Sequence, residues 1–208
     1  MDTAFFTAWI EESARRVAAE KDWLTGLDAA IGDADHGTNL DRGFTAVVQT
    51  LAAKEPDTPA ALLNLVGVTL IRKVGGASGP LYGTAFREMS KTLGDDAEVS
   101  PAGLCDALDA GLAGVQKLGS AAEGDKTMVD ALAPAVRELR RALQEGAEPR
   151  EATGAAASAA RAGAKATIPM QARRGRASYL GERSVGHEDP GAASAAIILT
   201  ALATVAAR

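Results

Sequence analysis

Asp28, Asp33 and Asp35 lie within eight positions of one another, bracketed by Gly32 and Gly37 and followed at once by His36. Three carboxylates this close repel one another unless a positive charge sits among them, and an all-oxygen donor set suits a hard cation, Mg²⁺ or Ca²⁺. The spacing lacks the twelve-residue EF-hand pattern with its closing glutamate, which favours Mg²⁺. Because Mg²⁺ takes one or two carboxylates and shares its remaining positions with water and phosphate oxygens, the chemistry indicated is that of a metal-bound phosphate. The plain alternative is a polar turn punctuated by glycine.

Two further clusters bear on the same chemistry. The stretch Val74-Gly75-Gly76-Ala77-Ser78-Gly79-Pro80 separates two apolar segments; its glycines allow close backbone approach, and the helix start after it offers N–H groups to an anion. It contains no G-x-x-x-x-G-K-[ST] motif, and alone it reads equally as a close-packed turn. Arg173, Arg174 and Arg176 precede Glu182, Arg183, His187, Glu188 and Asp189, a concentration of guanidinium groups that could neutralise phosphate or pair with the local acids. The two histidines, His36 and His187, lack the paired spacing of a zinc site.

The elements that must position these residues are helical. Phe6, Trp9, Ile10 and Val17 recur at helical spacing, as do Leu132, Val136, Leu139 and Leu143. Thr58-Pro59, Ser100-Pro101 and Asp189-Pro190 each place a capping side chain before a proline suited to the first helical position. Strand-like alternation is scarce, aromatics are 4% and alanine is abundant, so the expected fold is all-α. Helices are expected near residues 3–20, 38–54, 58–74, 80–93, 101–117, 126–145, 149–166 and 191–207, as one domain over residues 1–208 arranged as an antiparallel bundle or barrel. Residues 26–37 and 167–190 are then long loops, the places where function concentrates.

Bulk properties exclude several classes. A net charge of −5 argues against nucleic-acid binding. The single cysteine, Cys105, rules out an intrachain disulfide, suits a reducing compartment and reads as a small apolar filler on a helix. The N-terminal MDTAFFTAWIEESARR has no basic region before its short apolar stretch, unlike a signal peptide. The charge-free run 191–207 is short for a membrane span and mostly alanine, so a buried core helix is expected. These readings place the chain in the cytoplasm.

Four motifs in order, GLDAAIGDADHGTNLDRGF at 26–44, VGGASGPLYGTAF at 74–86, GDKTMVDALAP at 124–134 and MQARRGRASYLGERSVGHEDPGA at 170–192, resemble the nucleotide-binding L subunits of dihydroxyacetone kinases over essentially the whole chain. The resemblance implies an eight-helix antiparallel barrel with its nucleotide site at one end. Asp28, Asp33 and Asp35 would hold two Mg²⁺ ions that bridge to the phosphates of ADP or ATP. His36, Gly37, Thr38 and Asn39 would contact the nucleotide at a helix start. Ala77 and Ser78 match the Gly-rich phosphate contact, Gly119 and Met128 the adenine pocket, and Arg176, Asp189, Pro190 and Gly191 the segment closing over the nucleotide. Ala34 stands where some relatives carry glycine, which preserves the ligands and their spacing.

The activity implied is a kinase subunit's: transfer of a γ-phosphoryl group to dihydroxyacetone (glycerone) held on a separate K subunit. In the phosphoenolpyruvate-dependent branch, ADP is a prosthetic group recharged by an M subunit of the phosphotransferase system. Alternatives are the nucleotide subunit of an ATP-dependent kinase for dihydroxyacetone or a related ketose or tetrose, and a regulatory module responding to nucleotide state. No catalytic nucleophile is required of this chain.

Overall fold

The helix starts follow from local capping. The side chains of Asp2, Thr58, Ser100 and Asp189 each accept a hydrogen bond from the backbone N–H three residues on, and the last three are followed by proline at the first helical position. The computed structural model describes residues 1–208 and contains nine α-helices and no strand. They are α1 (Thr3–Ala19), α2 (Lys21–Ile31), α3 (His36–Lys54), α4 (Pro59–Lys73), α5 (Ser78–Leu93), α6 (Pro101–Gly119), α7 (Val129–Gln144), α8 (Pro149–Ala166) and α9 (Pro190–Ala206). A 3-10 segment, Arg176–Ser184, lies between α8 and α9.

From α3 to α9 each helix packs against the next in chain order, α9 returns to α1, and α1 meets α3. Eight helices therefore form a closed circuit, and α2 is a ninth placed against α3 and α9. The inward stripes merge into one continuous core that includes Phe6, Trp9, Phe44, Leu63, Leu104 and Leu202. Burying each such large apolar side chain contributes about 1.5–3 kcal/mol. The indole N–H of Trp9 crosses to the Ile198 carbonyl at 2.9 Å, so even the polar edge of this core ring is satisfied. Cys105 is buried and unpaired on α6, and no helix is long and apolar enough to cross a membrane.

The all-α expectation holds, with three local corrections. The expected loop 26–37 is helical to Ile31, because Leu24, Asp28 and Ile31 share one buried face of α2 despite the interruption of Gly26. Helix α7 begins at Val129 rather than near 126, since Lys126 adopts a left-handed φ of 61° that a helix cannot accommodate. Finally, the expected loop 167–190 contains the 3-10 segment, itself kinked at Gly181, where φ is 58°.

Candidate functional site

Helices α3, α5, α7 and α9 all begin at one end of the molecule, where a cavity of 480 Å³ is lined by His36, Ser78, Val129 and Pro190 from their first residues. Gly75 and Gly119, where α4 and α6 end, lie in the same wall. Four helix N-termini thus turn the positive ends of their dipoles to one space, a preference for an anion.

The three aspartates are on this wall too, and their carboxylate oxygens lie within 4.8 Å of one another. Asp28, on the last turn of α2, is buried, and its Oδ2 accepts hydrogen bonds from the N–H groups of Asp35 at 2.8 Å and His36 at 3.1 Å. Gly32 makes this possible, since a Cβ there would overlap the Asp28 carboxylate. Ala34 turns the chain between Asp33 and Asp35 with φ of 62°, a left-handed conformation that glycine adopts at lower cost. Asp33 is half-exposed and pairs with the Arg176 guanidinium at 2.9 Å. One backbone-fixed carboxylate and two less buried ones facing it form an oxygen donor set that fits a hard divalent cation.

His36 opens α3 instead of lying in a loop, and both ring nitrogens are occupied: Nδ1 meets Ser78 Oγ at 3.1 Å and Nε2 meets Ser194 Oγ at 2.8 Å. Ser194 Oγ also meets Tyr82 OH at 2.6 Å, so α3, α5 and α9 are joined by one polar chain behind the cavity. Burial pushes the His36 imidazole below its ordinary value and the Tyr82 phenol above its own, so both are neutral at physiological pH. His36 thereby joins the start of α3 to α5 and α9.

Lys126 escaped sequence reasoning. It lines the cavity and is only 1% exposed, and its ammonium donates to the Thr167 carbonyl at 2.8 Å and to the His187 carbonyl. It thereby ties together both ends of segment 167–189, whose base is also closed by the Asp189 N–H donating to Thr167 Oγ1 at 2.9 Å. Asp130 builds the turn that aims Lys126 inward, accepting from the N–H groups of Gly124 at 2.6 Å and Thr127 at 2.8 Å. The Thr127-x-x-Asp130 capping-box pattern was the available signal for this turn. Asp189 is pushed up to about 7, mainly by burial and further by the Asp130 and Asp28 charges, against the opposing Ala192 N–H and Lys126.

The cavity wall brings together Asp28, Asp33, Asp35, His36, Ala77, Ser78, Gly119, Met128, Arg176, Asp189, Pro190 and Gly191. Gly37, Thr38 and Asn39 do not line it. Gly37 is pressed against α2, Thr38 is exposed, and Asn39 packs under Gly75, where a Cβ would come within 2.9 Å of its amide. His187 is exposed and contributes only its carbonyl.

The DAK2 domain family matches residues 30–204 of this chain. The ADP-binding subunit DhaL of the phosphoenolpyruvate-dependent dihydroxyacetone kinase of Escherichia coli K12 is 43% identical over 198 residues, which are 95% of this chain and 94% of that protein. The corresponding subunit of the phosphotransferase-system-dependent enzyme of Lactococcus lactis IL1403 is 37% identical, covering 96% of this chain and 95% of its own. The crystal structure of the C. freundii dihydroxyacetone kinase with AMP-PNP and Mg²⁺ superposes with a TM-score of 0.78 at 29% identity, covering 98% of this chain and 34% of that one.

Proposed function

Since the chain belongs to the DAK2 domain family, we propose that it is the nucleotide-binding kinase subunit of a cytoplasmic, multi-subunit dihydroxyacetone kinase. One observation carries this reading: a trio of carboxylates, which repels anions, shares a cavity with four helix N-termini, which attract them. A polyphosphate accompanied by a hard cation satisfies both, because the cation reverses the sign of the acidic wall.

In this reading Asp28, Asp33 and Asp35 hold Mg²⁺, two ions by the family resemblance, and the metal supplies neutralisation of the charge that develops on the transferring phosphoryl group. The starts of α3 and α5 direct N–H groups at the phosphates, with Ala77 and Ser78 allowing close approach. Met128 and Gly119 offer an apolar face to the base. Arg176, at the cavity mouth, presents a guanidinium fork suited to phosphate oxygens. Asp189 caps α9 and holds Pro190 and Gly191 over the site. Catalysis is then electrostatic and positional, and the acceptor sugar comes from a K subunit docked at this end. ADP retained in the cavity and recharged by an M subunit of the phosphotransferase system completes the cycle.

The test is Asp33→Asn. Titration calorimetry with Mg-ADP should show at least tenfold weaker binding, about 1.4 kcal/mol or more, with an unchanged helical circular dichroism spectrum, since Asp33 is outside the core. Wild-type affinity in this variant would remove the metal role of the aspartates.

A further inference from the structure

A second cavity, of 330 Å³, opens on the flank of the molecule between α1, α2, α8 and α9, and its lining has no residue in common with the nucleotide cavity. Its floor is apolar and made of small side chains, Ala164, Ala193 and Ala196, with Ile197. One wall is Trp23, 41% exposed and one of only five large apolar side chains left open to solvent. Around this floor stand Arg15, Arg16, Arg161 and Lys165.

The charge around this cavity leans positive. Glu12 is shared by Arg15, Arg16 and, at 3.4 Å, Arg208, while Glu188 pairs with Lys165 at 2.6 Å and Glu20 pairs with nothing. Four cations, Arg15, Arg16, Arg161 and Lys165, therefore line the cavity with two carboxylates, Glu20 and Glu188, on a molecule whose net charge is −5. Arg161 meets no carboxylate at all; its guanidinium touches only the hydroxyls of Ser158 at 3.0 Å and Thr200 at 3.3 Å. The Lys165 ammonium lies 5.8 Å from the centre of the Trp23 ring, so a cation and an aromatic face already border the same space.

We propose that this flank cavity is a second binding site, for a small organic anion whose planar or apolar body lies along Trp23 and the alanine floor and whose phosphate or carboxylate reaches Arg161 and Lys165. The volume is that of a small-ligand pocket, and an apolar floor with a few convergent polar groups is the usual construction of one. Arg161 supplies the fixed, uncompensated charge. Lys165 is shared, because the anion competes for it with Glu188, and a guanidinium offers two parallel donors to either anionic group.

Phenyl phosphate is a suitable probe, followed through Trp23 fluorescence, with the buried Trp9 as a constant background. The protein is first saturated with Mg-ADP so that the nucleotide cavity is closed to the probe. Saturable quenching is expected, with phenol inactive and benzoate competing. Arg161→Ala should weaken binding about tenfold, the loss of one charge-assisted contact, and since Arg161 is exposed the variant folds normally. Glu188→Gln, which releases Lys165, should strengthen binding. Two results would overturn the site: no saturable quenching at millimolar probe, or equal affinity in wild type and Arg161→Ala, which would place the probe elsewhere, the nucleotide cavity included.

Discussion

At the scale of single residues, polar groups do most of the specifying. Glu12 is buried on α1, yet hydrogen bonds from Arg15 and then Arg16 outweigh its burial and hold its carboxyl at about 2, well below the usual 4.5. Its folded value is depressed, so the stability it gives is fully present above pH 4.5 and is lost as pH falls toward 2. Urea unfolding midpoints should therefore decline through this window in the wild type, and Glu12→Gln should lower stability at neutral pH while flattening the decline. An equally steep acid loss in the variant would assign that loss to other carboxylates. The aspartate cluster was legible in the sequence because like charges crowded into eight positions demand a counter-charge. Lys126 was not, because whether a lysine points to solvent or inward is decided by a turn. The side chain of Asp130 and the left-handed φ of Lys126 are central to that turn.

At the scale of elements, α2 is the instructive case. Gly26, and Asp28 near its C-terminus, weaken it as an isolated helix, and it exists because Leu24, Asp28 and Ile31 are buried against its neighbours. Capping side chains before proline announced the starts of α4, α6 and α9, whereas a helix held by tertiary packing gives no such local signal. The contact that fixes α2 is its close approach to α3 at Gly37, where a Cβ would overlap the Lys21 carbonyl and come within 2.6 Å of Thr25 Oγ1. Gly37→Ala should push the two helices apart at a cost of about 1–3 kcal/mol. Because Asp28 rides on α2 while Asp35 immediately precedes α3, the same variant should bind Mg-ADP more weakly. Chemical denaturation and calorimetry on one preparation measure both effects, and a stability loss with unchanged affinity would show that the aspartates do not depend on this contact.

At the scale of the whole molecule, helix order in the sequence and neighbourhood in space nearly coincide, so the bundle could be anticipated from short connections and amphipathic stripes alone. What the stripes could not reveal is that the circuit closes, since nothing local in α1 names α9 as its neighbour. That closure has a kinetic consequence. Every other junction from α3 onward joins consecutive helices and can form early with little loop entropy, but the α1–α9 seam, bridged by Trp9 and Ile198, joins residues 189 positions apart. The seam should close last, after the rate-limiting barrier. Trp9→Phe deletes its hydrogen bond, worth about 1 kcal/mol, and the loss should fall on unfolding, faster by about fivefold, with the refolding rate nearly unchanged. Stopped-flow refolding and unfolding arms would reveal the opposite order if the variant instead slowed refolding. Since the same α9 begins at the cavity proposed for the nucleotide, the last part of the chain to lock would also complete that cavity's wall, so binding capacity should appear only at the end of folding.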